Sequence, residues 1–330
     1  MTIDAEQWGW RQDLADALAP GEELARVAAV HGIAAQLWTR EGVRYGPLGA
    51  DLGEPPAVGD LVAARRSDGA EWPVLRLLPR RTAFVRHAAG NATRPQVIAA
   101  NIDRVFVATS ADADFNPRRL VRYLLALATS GARATLVLTK ADACADLAPL
   151  RAEAERMAET MVVSVRTGEG LAALRACIGP GVTAALVGSS GVGKSTLVNA
   201  LTGAARAAIG EVRAFDGKGR HTTTHRELFA LDGGGVLVDT PGMRALEPWA
   251  DEGTRAALDA LFAEVSAAAA GCAFDDCAHG GVAGCAVRAG VDAGALDADR
   301  VRSWTALHAE LDAQEALRAE RAEKVRGRRR

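Results

Sequence analysis

The order of its nucleotide-binding motifs constrains this chain more than any other feature. Gly188-Ser189-Ser190-Gly191-Val192-Gly193-Lys194-Ser195 fits the phosphate-loop pattern G-x-x-x-x-G-K-[ST] at every fixed position. Asp239-Thr240-Pro241-Gly242 follows it, where a magnesium-side acid and a switch element belong. Thr139-Lys140-Ala141-Asp142 has the form of a guanine-reading motif, yet it comes before the phosphate loop instead of after it. A chain carrying all three reads as an α/β nucleotide-binding core in circularly permuted order.

The texture of the sequence supports that core. Strand-like runs at 104–109, 134–139, 161–165, 182–187, 227–231 and 236–239 alternate with helical patterns. The helix 117–130 has Asn116 as a plausible N-cap and Gly131 just past its end. Such repetition implies a mostly parallel sheet with ligand loops at the carboxyl ends of its strands. Ahead of it, residues 33–89 carry short β-like runs at 35–39, 60–64 and 72–77. Gly42, Gly46-Pro47, Pro55-Pro56 and Ser67-Asp68-Gly69 punctuate these runs, which suggests a small barrel. From about Thr254 the chain is Ala-rich and helical, broken by a Gly-rich loop and ending in a long helical pattern from Asp297. The expected division is a helical extension over 1–30, a barrel over 31–90, the α/β core over 91–253 and a helical domain over 254–330.

In the phosphate loop, Gly188 and Gly193 permit the tight turn that lets backbone N–H groups approach phosphate oxygens. The candidate contacts run Gly188, Ser189, Ser190, Gly191, Val192, Gly193, Lys194, Ser195 and Thr196. Lys194 should pair with the β- and γ-phosphates and Ser195 should ligate magnesium. Asp239 is expected to hold magnesium through water, and the Gly242 N–H to sense the γ-phosphate. The Gly-flanked stretch Gly219 to Arg226 sits where a switch loop belongs. Thr223 is the favoured second magnesium ligand, with Thr222 and Thr224 as close rivals. Met243 and Arg244 stand where many GTPases place a water-orienting glutamine. His221 is the candidate for that task, set against its reading as an ordinary polar surface residue.

Base choice falls to Asp142, whose carboxylate can accept from the ring N–H and exocyclic amine of guanine, a donor pair that adenine lacks. Lys140 would lay its apolar stem over the base plane. Thr139 stands where this motif usually has Asn. Ser164-Val165-Arg166-Thr167-Gly168 is the expected partner loop, with Ser164 and Val165 as candidate base contacts. A P-loop ATPase or small-molecule kinase, with Thr-Lys-Ala-Asp accidental, is the competing enzyme reading. A zinc-dependent RNA-binding module with degenerate nucleotide chemistry, or a large-subunit assembly factor, is the competing binding reading.

Cys272, Cys277, His279 and Cys285 supply three thiolates and one imidazole, a set that suits one tetrahedral, structural zinc ion. Four protein ligands close the shell, so catalysis is not expected of it. Cys144 and Cys177 stand alone. The formal net charge is -2, but Arg65, Arg66, Arg76, Arg80, Arg81 and Arg86 crowd one region and the chain ends in Arg-rich sequence, patches able to bind phosphates. No apolar run approaches the roughly 18 residues that span a bilayer, and the N-terminus lacks a signal pattern. A cytoplasmic monomer without membrane attachment is expected.

Taken together these features resemble the ribosome small-subunit-dependent GTPase family. Val58-Gly59-Asp60, Leu78-Pro79-Arg80-Arg81, the run Gln96 to Asp103, Arg220-His221-Thr222-Thr223-Thr224, the permuted motifs and the Cys272 to Cys285 cluster carry the resemblance. It implies an N-terminal OB-fold barrel, a circularly permuted GTPase domain and a C-terminal zinc-bearing helical domain. It further implies GTP and GDP as ligands with magnesium, docking on the small ribosomal subunit and its 16S rRNA, and hydrolysis stimulated by the subunit during late maturation.

Overall fold

The computed structural model describes residues 4–49, 51–86, 96–112, 114–203, 227–239, 252–274, 276–280 and 282–327. The chain divides into two compact units, one of Met1–Pro117 with Ser130–Leu246, the other of Arg118–Thr129 with Glu247–Arg330. This partition cuts across the boundaries read from the sequence. The barrel and the parallel sheet share one unit, and a helix from the middle of the α/β stretch groups with the C-terminal segment.

The first unit opens with a short helix α1 (Gln12–Asp16) and then the strand β1 (Glu22–His31). The sequence reading had a helical lead-in and linker here. Alternation is lost because β1 is buried from Leu24 to Ala29 and paired along both edges, so pairing overrides the Ala- and Glu-rich local preference. β2 (Ala34–Thr39), β3 (Gly42–Pro47), β4 (Leu61–Arg65) and β5 (Val74–Leu77) complete an antiparallel ladder ordered β3-β2-β1-β4-β5. Parallel bridges Tyr45↔Glu71 and Leu48↔Val74 join its two ends into a barrel around Val27, Leu37, Val62 and Trp72. Gly42 and Gly46-Pro47, read as punctuation, lie inside β3. A Cβ at Gly46 would stand 2.7 Å from the Trp72 carbonyl, so that strand has room only for glycine beside the tryptophan.

A two-stranded ribbon, β6 (Ala83–Arg86) with β7 (Gln96–Ala100), leads into the parallel sheet. The motifs 58–60, 78–81 and 96–103 meet where barrel gives way to sheet. Asp60, fully buried, accepts from Arg80 Nε (2.6 Å) and Nη2 (2.8 Å) and from the Ala57 N–H (2.7 Å). Gly59 has φ +92 and its missing Cβ would fall 2.1 Å from the Ala100 carbonyl. Asn101, in the left-handed region at φ 54, donates to the Gly59 carbonyl (3.0 Å) and accepts from the Arg81 N–H (2.9 Å). Arg26 is buried here, donating to the carbonyls of Trp8 (2.5 Å) and Asn101 (3.0 Å). Burial pulls its pKa down to about 10, which leaves it charged at neutral pH. Several of the clustered arginines are already paired, Arg80 in a buried ion pair with Asp60 (2.6 Å), Arg81 with Asp103 (3.0 Å) and Arg76 with Glu22 (2.9 Å).

The sheet continues as β8 (Arg104–Ser110), β9 (Arg133–Thr139), β10 (Thr160–Val162), β11 (Thr183–Gly188), β12 (Glu227–Ala230) and β13 (Val236–Asp239). Its order is β10-β9-β8-β11-β13-β12, parallel except for β12, which runs antiparallel to β13 and meets β1 at Ala29↔Glu227. Strands buried on both faces read as continuous apolar runs, as Val105 to Ala108 and Leu136 to Leu138 do. The helices α3 (Ala148–Glu155), α4 (Leu171–Ala176) and α5 (Lys194–Thr202) follow β9, β10 and β11 in the chain. Leu174, Leu197, Val198 and Leu201 from α4 and α5 close a core with Phe106, Val137, Leu186 and Leu237.

The second unit contains α2 (Pro117–Ala128) from Arg118 onward, with α6 (Glu252–Leu261), α7 (Ala263–Ala269), α8 (Ala286–Asp292) and α9 (Ala298–Gly327). Arg122 bonds Glu310 (2.9 Å), Arg255 bonds Asp312 (2.7 Å), and Arg300 bonds Glu264 (2.5 Å) while its guanidinium lies over the Phe262 ring. Among the described residues no helix is long and apolar enough to cross a membrane.

Candidate functional site

Parallel pairing delivers the site. β9, β8 and β11 run in register, Ser110 opposite Thr139 and Ala108 opposite Gly188, so the loops that follow them leave the same edge of the sheet. That edge is where open α/β sheets bind ligands. The phosphate loop turns sharply at Gly188, with φ +142 and a missing Cβ that would lie 2.2 Å from the Ala108 carbonyl. Gly193, at φ 92, caps α5 in the left-handed region. The nine-residue helix aims its free N–H groups and positive dipole end into the loop. Lys194 curls over the turn, donating from Nζ to the carbonyl of Gly188 (2.8 Å) and to that of Ser189. Ser195 and Thr196 are exposed in the first turn of α5, and Val192 is buried.

The guanine-type motif and the phosphate loop are joined directly. The buried Thr139 hydroxyl donates to the Val192 carbonyl (2.6 Å), with the Thr109 carbonyl 3.2 Å away. A threonine in place of the usual asparagine therefore still ties the two halves together. Lys140 has φ 56, a left-handed conformation uncommon for a residue with a side chain. Asp142 follows in a 3-10 turn over Ala141–Ala143. Its Oδ1 accepts from the Ser164 hydroxyl (2.5 Å) and its Oδ2 from Arg166 Nε (2.5 Å). The Ser164 bond, and then Arg166, holds the carboxyl below its ordinary range, so it is ionised at neutral pH. Ser164 is buried and also accepts from the Thr167 N–H (3.2 Å), which shapes the partner loop. Val165 packs its side chain against the sheet core, so only its backbone can offer anything to a base.

Other sequence-derived candidates are only partly visible. Pairing of β13 with β11, Ala185 opposite Val238, carries the backbone of Asp239 to the level of Leu186, two residues before the phosphate loop. The side chain of Asp239, together with His221, Thr222, Thr223, Thr224 and Gly242, lies outside the described residues. Three more residues belong to the site's edge, Arg166 from the expected partner loop and Asp112 and Asp114, which no sequence motif marks. Arg166 caps the Asp142 carboxylate, Asp112 bonds Lys140 Nζ (3.2 Å), and Asp114 accepts from the Ser189 hydroxyl (2.8 Å). Asp112 and Asp114 follow the buried run 105–111, and Arg166 follows the buried pair Val163 and Ser164, and that position is the available signal.

In the second unit Cys272, Cys277, His279 and Cys285 bring their ligand atoms within 4.8 Å of one another. The Cys272–Cys285 sulfur separation is 4.0 Å, and His279 Nδ1 lies 3.6 and 3.7 Å from those two sulfurs. Tetrahedral zinc with bonds of about 2.3 Å to sulfur and about 2.0–2.1 Å to nitrogen has S···S edges of about 3.8 Å and S···N edges of about 3.6 Å. The donors fit that shell, and the sulfurs are too far apart for a disulfide. Burial, then the nearby His308, pushes the His279 imidazole pKa down, favouring the neutral form a metal requires. The His279 ring faces Trp304 at 5.4 Å, and both Trp304 Nε1 (3.1 Å) and His308 Nε2 (3.0 Å) bond Asp259 Oδ1. This chain of rings anchors the ligand loop to α6 and α9.

Comparison with known proteins agrees with these arrangements. A family model described as RsgA GTPase matches residues 77–249. The small ribosomal subunit biogenesis GTPase RsgA of Xanthomonas axonopodis pv. citri (strain 306) is 41% identical over 348 residues, covering 99% of this chain and 93% of that protein. The protein of the same name from Opitutus terrae is 46% identical over 267 residues, covering 77% of this chain and 72% of its own. The crystal structure of YjeQ from Thermotoga maritima superposes with a TM-score of 0.64 at 24% identity, over 88% of this chain and 98% of that one. YloQ, described as a circularly permuted GTPase, gives 0.63 at 20% identity, over 89% and 96%.

Proposed function

Because the chain belongs to the RsgA GTPase family, and is thereby a GTP hydrolase, we propose that it acts in maturation of the small ribosomal subunit. It docks on the subunit and its 16S rRNA in the GTP state and leaves after hydrolysis, which the subunit stimulates. The observation that carries the nucleotide assignment is the Thr139–Val192 bond, which sets a guanine-type carboxylate and a phosphate loop side by side on one sheet edge. The small-subunit role rests on the names of relatives that match nearly the whole chain.

In this reading Asp142 accepts from the guanine ring N–H and exocyclic amine, Lys140 covers the base and the Ser164–Val165 loop closes on it. Backbone N–H groups of Gly188 to Thr196 cradle the phosphates, and Lys194 swings from the loop carbonyls to the β- and γ-phosphates. Ser195, Thr223 and, through water, Asp239 hold magnesium. When bound, that ion neutralises charge building on the phosphate oxygens. Gly242 reports the γ-phosphate and His221 orients the attacking water. The barrel, of OB type, and the basic chain end contact rRNA phosphates, so binding is strongly salt-dependent. Cys272, Cys277, His279 and Cys285 would hold one structural zinc ion, which would stabilise the helical segment.

Sedimentation of the full chain with purified ribosomal subunits tests this. Comigration with the small subunit in a non-hydrolysable GTP analogue, and release in GDP, is the expected result. Comigration with the large subunit, or no dependence on nucleotide, would sink it. Competition between GTP and ATP for the chain checks the base assignment separately, and stronger ATP binding overturns it.

A further inference from the structure

We propose that Asp112 is a positioning residue for nucleotide binding: it holds the Lys140 ammonium, and through its neighbour Asp114 the same loop holds the phosphate loop in register. The proposal rests on the guanine reading of Lys140 and Asp142 given above. Four bonds carry it. Asp112 Oδ2 bonds Lys140 Nζ at 3.2 Å. Asp112 Oδ1 accepts from the Ser110 hydroxyl (2.7 Å) and the Asp114 N–H (2.9 Å), which fixes the carboxylate before it meets the lysine. Asp114 Oδ2 accepts from the Ser189 hydroxyl (2.8 Å). The loop after β8 thus grips the base-reading motif with one carboxylate and the phosphate loop with the next.

Physical chemistry gives this grip a purpose. A lysine has a long flexible stem, and ordering it over a base costs conformational entropy at the moment of binding. A carboxylate that already restrains the ammonium removes part of that cost beforehand, so the gain appears as nucleotide affinity. Lys140 also sits in a left-handed backbone conformation, which directs its stem from a defined starting point. An ion pair this exposed adds little to stability. Its effect is therefore read in binding and not in melting temperature.

A double-mutant cycle on the full chain tests the assignment, using fluorescent GDP for affinity and single-turnover GTP hydrolysis for chemistry. Asp112→Ala is expected to raise the Kd for GDP about two- to fivefold while the rate of hydrolysis of bound GTP stays within about 1.5-fold, the pattern of lost uniform binding. Asp112→Glu should recover most of that affinity. In a Lys140→Ala background, most of the Asp112→Ala effect should disappear, because the lysine is its main route to the nucleotide. Unchanged GDP affinity in Asp112→Ala, or an equal loss with and without Lys140, overturns the proposal. If Lys140→Ala and Asp142→Asn both leave GDP-over-ADP preference intact, the guanine reading itself has failed, an outcome distinct from a silent Asp112 beside a sensitive Lys140.

Discussion

Cys272, Cys277, His279 and Cys285 come from one short stretch of chain, whereas Thr139 reaches Val192, and Ser164 reaches Asp142, from loops that follow separate strands. Each group converges to hydrogen-bond or ligand distance. What holds them there differs. The Cys3His loop leaves its apolar side chains Phe274 and Val282 exposed, so its cohesion rests on the Trp304 and Asp259 anchor and on the ion that the quartet would hold. The nucleotide loops hang from a parallel sheet whose strands Val105 to Ala108 and Leu136 to Leu138 are buried. Their geometry is set by tertiary packing before any ligand arrives. Local chemistry makes the first site, and long-range topology the second.

The largest effect that separates the two follows from removing a ligand of the metal. Cys285→Ser deletes a buried thiolate that also caps α8 by accepting from the Arg288 N–H (3.3 Å). Zinc affinity, measured by chelator competition, should fall more than about 100-fold, beyond the 10–100-fold range of outer-shell changes. Trp304 emission should report the loosened loop, since that ring faces His279. GDP affinity should stay within about twofold, because sites that share no partners behave additively. An equal collapse of GDP binding would break the comparison.

A smaller effect is expected from the joint between the nucleotide halves. Thr139→Val keeps the volume, removes the donor and strands the carbonyl of buried Val192. A buried acceptor left unsatisfied costs about 1–3 kcal/mol. Part of that appears as global stability, and GDP affinity should fall about tenfold, with Thr139→Ser close to the original. A Thr139→Val chain that binds GDP normally would mean that the sheet alone registers the two loops.

The legibility of the sequence follows the same divide. The phosphate loop and the zinc quartet were readable because each is contiguous and its residue types are dictated by chemistry. The buried parallel strands were readable because two covered faces leave an apolar run. β1 was not, since an Ala- and Glu-rich stretch gains strand conformation only from partners that lie far along the chain. Gly46 looked like a turn because nothing local announces that Trp72 will press on it. Arg80 looked like a phosphate ligand because its partner Asp60 is twenty residues away. Asp112 and Asp114, and the bond that Arg166 of the partner loop makes to Asp142, carry no local signal for a similar reason. Each acts on a residue in another loop, and only the strand order says which loops are neighbours.

Arg166 supplies the smallest effect and the sharpest probe of the base half. The proposed guanine recognition by Asp142 would use both carboxylate oxygens, and both already accept bonds, Oδ1 from Ser164 and Oδ2 from Arg166. Ser164 is buried and stays, while the Arg166 side chain is 74% exposed and must give way. Exposed ion pairs are weak and screened by salt. Arg166→Ala should therefore speed GDP association about two- to fivefold in low salt, with the advantage shrinking as ionic strength rises. Stopped-flow fluorescence separates the possibilities. Unchanged association would mean that the arginine does not compete with the base. Slower association with faster release would place the guanidinium on the bound nucleotide, making Arg166 part of the reading surface and not its cover.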